Sequence, residues 1–168
     1  MDNEIANDCL TPWIKPAMMP AKPLRILLVE DNRGDVLLVQ QALAEHAIKH
    51  ELHVVSDGEQ AIRFIQSMDQ QGGASCPDLL LLDLNLPRVE GQQVLSEFRK
   101  HPKGAQTPVI VVSSSDAPRD KARSGELGIS RYFRKPSELD AFMALGAVVR
   151  QVVEATPRAS ATIATETS

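Results

Sequence analysis

The chain has 168 residues, 43% of them hydrophobic and 24% charged, with a net charge of −4. That length suits one domain of ordinary size with its own core, and the acidic balance lacks the basic footprint of a nucleic-acid or anionic-membrane binder. Two cysteines, Cys9 and Cys76, make neither a disulfide framework nor a metal-ligand spacing, which fits a reducing, cytoplasmic setting.

Residues 1–23 mix acidic residues with Pro12, Pro16, Pro20 and Pro23 and lack the basic and apolar regions of a signal peptide, so they read as a flexible arm. From Arg25 the pattern becomes regular. Ile26 to Val29 form a short apolar run that ends in Glu30, Asp31 and Asn32, then Gly34, then a helical pattern from about Asp35 to His46 with Val36, Val39, Leu43 and Ala47 on one side. Leu52, Val54 and Val55 read as a second strand. Ser56-Asp57-Gly58 caps a helix whose buried stripe is Ala61, Ile62 and Ile65.

Leu79 to Leu82 are consecutive leucines, too few to span a membrane and followed by a Pro and Gly turn; they read as a central strand buried on both faces. The run stops at Asp83. After Gly91 a helix with Val94, Leu95 and Phe98 runs to about His101, and Pro102 with Gly104 ends it. Pro108 to Ser113 is the next apolar strand, Asp116 with Pro118 opens another helix, and Ile129 to Arg134 is the last strand. Ser137 with Asp140 reads as a capping box for a final helix through about Val153. Strand and helix alternate five times, which predicts an α/β domain over 24–154: a five-stranded parallel sheet with helices on both faces. Residues 155–168, mostly Ala, Ser and Thr, cannot bury enough apolar surface to order themselves and read as a disordered tail.

Right-handed crossovers bring the carboxyl ends of all five strands to one edge of the sheet, the edge at which open α/β sheets place their chemistry. Glu30, Asp31, Asp83, Ser113 and Lys135 all fall there. Taken singly they are ordinary: a solvated loop and helix cap, a turn residue, a surface lysine. Gathered together, three carboxylates repel one another unless a cation or a proton relieves them. Ligation by oxygen alone suits Mg²⁺, and no nearby His or Cys argues for zinc. A cation beside an aspartate makes sense if the aspartate accepts an anionic group such as phosphoryl.

Val29-Glu30-Asp31, Leu82-Asp83-Leu-Asn85-Leu-Pro87, Ser113-Ser114 and Arg134-Lys135-Pro136 follow one another in the order and spacing of a known set. With them, the chain from Leu24 to about Val153 resembles the receiver domain of response regulators, the phosphoacceptor module of two-component signalling. The resemblance implies a flavodoxin-like (βα)5 fold with strand order 2-1-3-4-5. It also implies a single-domain response regulator that takes a phosphoryl group on Asp83 from a sensor histidine kinase, with Mg²⁺, and switches a protein-interaction surface. Asp31 would bind the metal directly and Glu30 through water, Asp83 would share it, and Asn85 would offer its backbone carbonyl. Ser113 would hydrogen-bond a phosphoryl oxygen, Lys135 would neutralise another, and Tyr132 matches the aromatic position that moves on activation. In such domains the Lys135–Pro136 bond is usually cis. Such a protein is no enzyme in the metabolic sense; it catalyses its own phosphorylation and dephosphorylation.

The stretches Glu30 to Asp35 and His50 to Gly58, with the full Leu82 to Pro87, are similar to stand-alone receivers that serve bacterial phytochromes. They point to a sensor histidine kinase of the bacteriophytochrome kind as donor and are compatible with a homodimer through the last helices and strand, with no nucleic acid and no membrane as partner. Two other classes fit less well. A flavodoxin-like nucleotide binder would need Ser, Thr and Gly amides where Glu30 and Asp31 stand. In an aspartate-nucleophile phosphatase a second Asp would follow Asp83 where Asn85 is. A receiver-like docking module that works without phosphorylation is the remaining alternative.

Overall fold

The computed structural model describes residues 22–68 and 70–157. The strands are β1 (Leu24–Val29), β2 (His50–Val55), β3 (Leu79–Leu82), β4 (Val109–Ser113) and β5 (Arg131–Arg134). The helices are α1 (Arg33–Glu45), α2 (Gly58–Ser67), α3 (Gly91–Lys100), α4 (Pro118–Glu126), α5 (Leu139–Phe142) and α6 (Ala144–Ala155). All strands pair in parallel in the order β2-β1-β3-β4-β5, the expected order. The expected arm and tail lie outside the described residues over 1–21 and 158–168.

Period-two alternation divides the core into two layers. Leu24, Ile26, Leu28, Leu79, Leu81, Ile110 and Val112 pack under α1, α5 and α6, with Val39, Leu43, Phe142 and Val149 closing that side. Leu27, Val29, Leu80, Leu82 and Val109 face α2 and α3, against Ala61, Ile65, Leu95 and Phe98. The central strand β3 is buried at every residue, because helices cover both faces of the sheet. Each of its leucines contributes roughly 2 kcal/mol of transfer free energy.

Several local expectations shift. Helix α1 starts at Arg33, not Asp35, since the Asn32 side chain caps it by accepting from the N–H groups of Gly34 and Asp35 at 2.8 and 3.3 Å. Its buried positions are Val39, Ala42 and Leu43. Ala47 is exposed beyond the helix end, at φ 50°, where the chain must reverse into β2. The last helix is broken at Met143 into α5 and α6, and no capping box forms: Glu138 occupies the N-cap without a side-chain bond, which leaves Ser137 outside the helix. Phe133 of β5 meets Phe142 edge-on, ring centroids 5.8 Å apart, while Tyr132 faces the opposite side.

Candidate functional site

Three backbone hydrogen bonds carry the sheet ladder just past the strand ends. The N–H of Glu30 donates to Val55 O at 3.0 Å, that of Asp83 to Val29 O at 3.0 Å, and that of Lys135 to Ser113 O at 2.9 Å. The register pairs Val29 with Leu82 and Ser113 with Arg134. Glu30, Asp83, Ser113 and Lys135 are therefore set side by side at the carboxyl edge, held by main chain.

Gly91 secures the loop behind Asp83. A Cβ at Gly91 would stand 2.3 Å from the Asp83 carbonyl oxygen and 2.6 Å from Leu84 Cα. Its own N–H donates to Leu84 O at 3.0 Å. The glycine thus allows α3 to start against the back of the loop that follows Asp83.

The charges then arrange themselves around one ammonium. Lys135 Nζ donates to Asp83 Oδ2 at 2.6 Å, Glu30 Oε2 at 2.7 Å and Asp35 Oδ2 at 2.8 Å. Asp83 Oδ1 accepts the N–H of Asn85 at 2.9 Å, and Glu30 Oε1 accepts that of Asn32 at 3.0 Å. Glu30 and Asp83 are buried, whereas Asp31 is exposed beside them. Burial raises the pKa of Glu30 above the usual carboxylate value, against the lowering effect of Lys135 and the Asn32 N–H. Burial also works against the Lys135 ammonium, but the hydrogen bonds it donates to Asp35, Asp83 and Glu30 outweigh it and hold its pKa above that of an ordinary lysine. No cis peptide bond occurs among the described residues, so the expected cis Lys135–Pro136 bond is trans here. The length of the lysine side chain and the bond to Ser113 O bring Nζ to the site all the same.

Glu30, Asp31 and Asp83 each offer an oxygen, all within 4.8 Å of one another. An all-carboxylate donor set of this span suits a hard divalent cation. The carboxylates present outnumber the one ammonium among them, so the residues fit such an ion.

On the other side of Asp83, Ser113 is fully buried and its Oγ accepts the N–H of Ser115 at 3.2 Å. The Asn85 amide reaches Ser113 Oγ at 3.5 Å and Ser114 Oγ at 3.3 Å. The Tyr132 hydroxyl donates to the Ser115 carbonyl at 2.8 Å. Every site residue expected from the sequence lies in this one neighbourhood. Asp35 is not among the residues the sequence brings to this edge, since it stands in the first turn of α1, past the end of β1. Its membership shows only when the fold sets it opposite Lys135, 100 residues away.

The chain is similar along most of its length to proteins of known class. The response regulator Rcp1 of Synechocystis is 39% identical over 117 residues, 70% of this chain and 80% of that one. The crystal structure of the Mn²⁺-bound form of Rcp1 superposes with a TM-score of 0.71 at 36% identity, covering 80% of this chain and 98% of the other. That of the phosphorylated cyanobacterial phytochrome response regulator RcpA gives 0.72 at 34% identity, covering 81% and 97%. The profile of the response regulator receiver domain matches residues 26–145, a span that holds every residue of the acidic edge. With a parallel sheet in the order β2-β1-β3-β4-β5 and that match across most of its length, the chain belongs to the response regulator receiver domain family.

Proposed function

We propose that the chain is a phosphoacceptor switch: Asp83 receives a phosphoryl group from a sensor histidine kinase, with Mg²⁺ at Glu30, Asp31 and Asp83, and the modified site changes a protein-docking surface. The observation that supports this most directly is the placement of Asp83, buried, with one oxygen 2.6 Å from Lys135 Nζ and two further carboxylates within metal-ligand range. In the transfer, an Asp83 oxygen attacks phosphorus, a P–O bond forms, and the P–N bond to the kinase imidazole breaks with its electron pair returning to nitrogen. The product is an acyl phosphate. In autodephosphorylation water attacks phosphorus, the P–O bond to Asp83 breaks, and the carboxylate and inorganic phosphate are released.

The incoming group adds about 1 to 2 negative charges. Lys135 offsets part of this, and a bound divalent cation supplies the remaining charge neutralisation. Asp31 is exposed and so placed to meet a cation arriving from solvent, the Asn85 backbone carbonyl would offer that cation a further oxygen, and Asn85 N–H steadies the second oxygen of Asp83. Ser113 is the hydroxyl placed to hydrogen-bond a phosphoryl oxygen. Turning toward it breaks the bond Ser113 Oγ now accepts from Ser115 N–H, and the Ser115 carbonyl is what Tyr132 holds. The signal thereby reaches β5 and the last helices, the part of the surface through which a homodimer would form. The switch is a population shift between two arrangements of that surface.

The receiver unit is 24–154, with 1–23 and 155–168 as flanking segments. The donor is a phytochrome-type histidine kinase, a choice that RcpA, a phytochrome response regulator, supports. Incubating the full chain with a radiolabelled phosphohistidine form of such a kinase tests the account. Label should pass to wild type in Mg²⁺ and not after chelation, and Asp83→Asn should stay unlabelled. Labelling of Asp83→Asn, or transfer that survives chelation, would overturn it; failure with the kinase but success with a small acyl phosphate would overturn only the choice of donor.

A further inference from the structure

The ammonium of Lys135 has three N–H donors, and each is committed: to Glu30, to Asp83 and to Asp35, at 2.7, 2.6 and 2.8 Å. None remains for a phosphoryl oxygen. Two of these partners are drawn into other roles when the site is loaded, since Glu30 and Asp83 belong to the cluster that can hold a cation. Asp35 is not in that cluster. It projects from the first turn of α1, its side chain 24% exposed, while Lys135 is 10% exposed.

We propose that Asp35 is a positioning residue that restrains the switch: it holds Lys135 in the unphosphorylated state and competes with the phosphoryl group for it. The inference rests on Asp83 being the acceptor. Two effects act in the same direction. The carboxylate of Asp35 keeps the ammonium anchored toward α1 after its other two partners turn away, and its charge opposes the negative charge arriving at Asp83. Release costs little, because Asp35 can turn to water at the N-terminus of α1, where a negative charge is favourable. Lys135 then leaves α1 for the phosphoryl group, and the first turn of that helix loses its tie to β5. The state of Asp83 is thus read on the α1 side of the domain as well as through Ser113 and Tyr132.

The test is the rate of acyl-phosphate formation with Mg²⁺ and a small acyl-phosphate donor, followed by intact mass on the full chain. Asp35→Asn should gain phosphoryl about fivefold faster than wild type, the size expected for one partly exposed charge. Asp35→Glu, which restores the charge, should return the rate to that of wild type. In a Lys135→Met background the gain from Asp35→Asn should fall below about twofold, since the two residues act through one contact. A role confined to capping α1 would lower the melting temperature and leave this coupling at zero. An unchanged or slower rate for Asp35→Asn, or an equal gain with and without Lys135, would overturn the inference. If wild type gains nothing, or gains it at a residue other than Asp83, the functional account fails first and this one with it. A second measurement needs no variant: on phosphorylation of wild type, the carboxyl carbon resonance of Asp35 should move toward that of a solvated carboxylate, and a fixed resonance would count against release.

Discussion

Asp83 Oδ2 and Lys135 Nζ lie 2.6 Å apart, although 52 residues separate them in the chain. The contact exists because β3 and β5 end at the same edge of the sheet, one on either side of β4. It joins the residue proposed to accept a phosphoryl group to the only ammonium placed to compensate it among the described residues. Replacing Lys135 with Met leaves Glu30 and Asp83 buried without their cation. Stability at neutral pH should fall by about 3 kcal/mol, and acyl-phosphate formation should slow on the order of 100-fold, as for loss of one strong charge-stabilising donor. Denaturant unfolding and intact mass check the two effects separately.

The raised pKa of Glu30 gives a pH dependence of definite sign. Between the ordinary carboxylate value, roughly 4.3, and its elevated folded value, Glu30 holds a proton in the folded chain that it has lost in the unfolded one. Folding takes up a proton in this window, so this group's contribution falls as pH rises through it. Melting curves of wild type and Glu30→Gln should therefore diverge as pH rises, with wild type losing ground. A constant difference between them would contradict the assignment.

Divalent cations should raise the melting temperature, because a ligand that binds only the folded chain stabilises it by mass action. Asp31 is the discriminating residue. It is exposed, so Asp31→Asn should melt close to wild type without metal, yet it should lose most of the rise produced by saturating Mg²⁺. Calorimetry with and without chelator measures both.

Gly91→Ala should damage the site from behind. The added methyl group would stand 2.3 Å from the Asp83 carbonyl, which is backbone and cannot rotate away. The acceptor loop must shift, at about 1 to 3 kcal/mol of overpacking. Phosphoryl uptake should fall more than stability alone explains, as seen in the phosphorylation rate at a temperature where the variant is fully folded.

Arg99 is a structural counterpart to Lys135. Its guanidinium donates to four carbonyls, those of Gly104, Thr107, Leu127 and Gly128, at 2.6 to 2.9 Å. It ties α3 to the loops that precede β4 and β5. Arg99→Met should cost about 2 to 4 kcal/mol, since several of these acceptors lose their partner, and should leave metal-dependent stabilisation intact. Chemical denaturation with and without Mg²⁺ measures both.

What could be read from the sequence was whatever local pattern encodes. The run Leu79 to Leu82 ending in Asp83 announced a central strand and its functional end, and the acidic pair after Val29 did the same for β1. Ser113 and Lys135 followed from the rhythm of strands. The roles of Asp35 and Arg99 are not legible locally, because their partners Lys135 and Gly128 come from segments 100 and 29 residues away. The break at Met143 is not legible either. Its apolar spacing continues from Phe142 through Leu145 to Val149, and Met143 itself keeps helical backbone angles, so nothing local marks the division.

The most direct test of the central claim is intact mass after incubation with Mg²⁺ and a small acyl-phosphate donor, wild type against Asp83→Asn. The account predicts the gain of one phosphoryl group by wild type and none by the variant. No gain by wild type with this donor or with histidine kinases would contradict it and favour a docking module that works without phosphorylation; an equal gain by Asp83→Asn would contradict the choice of acceptor.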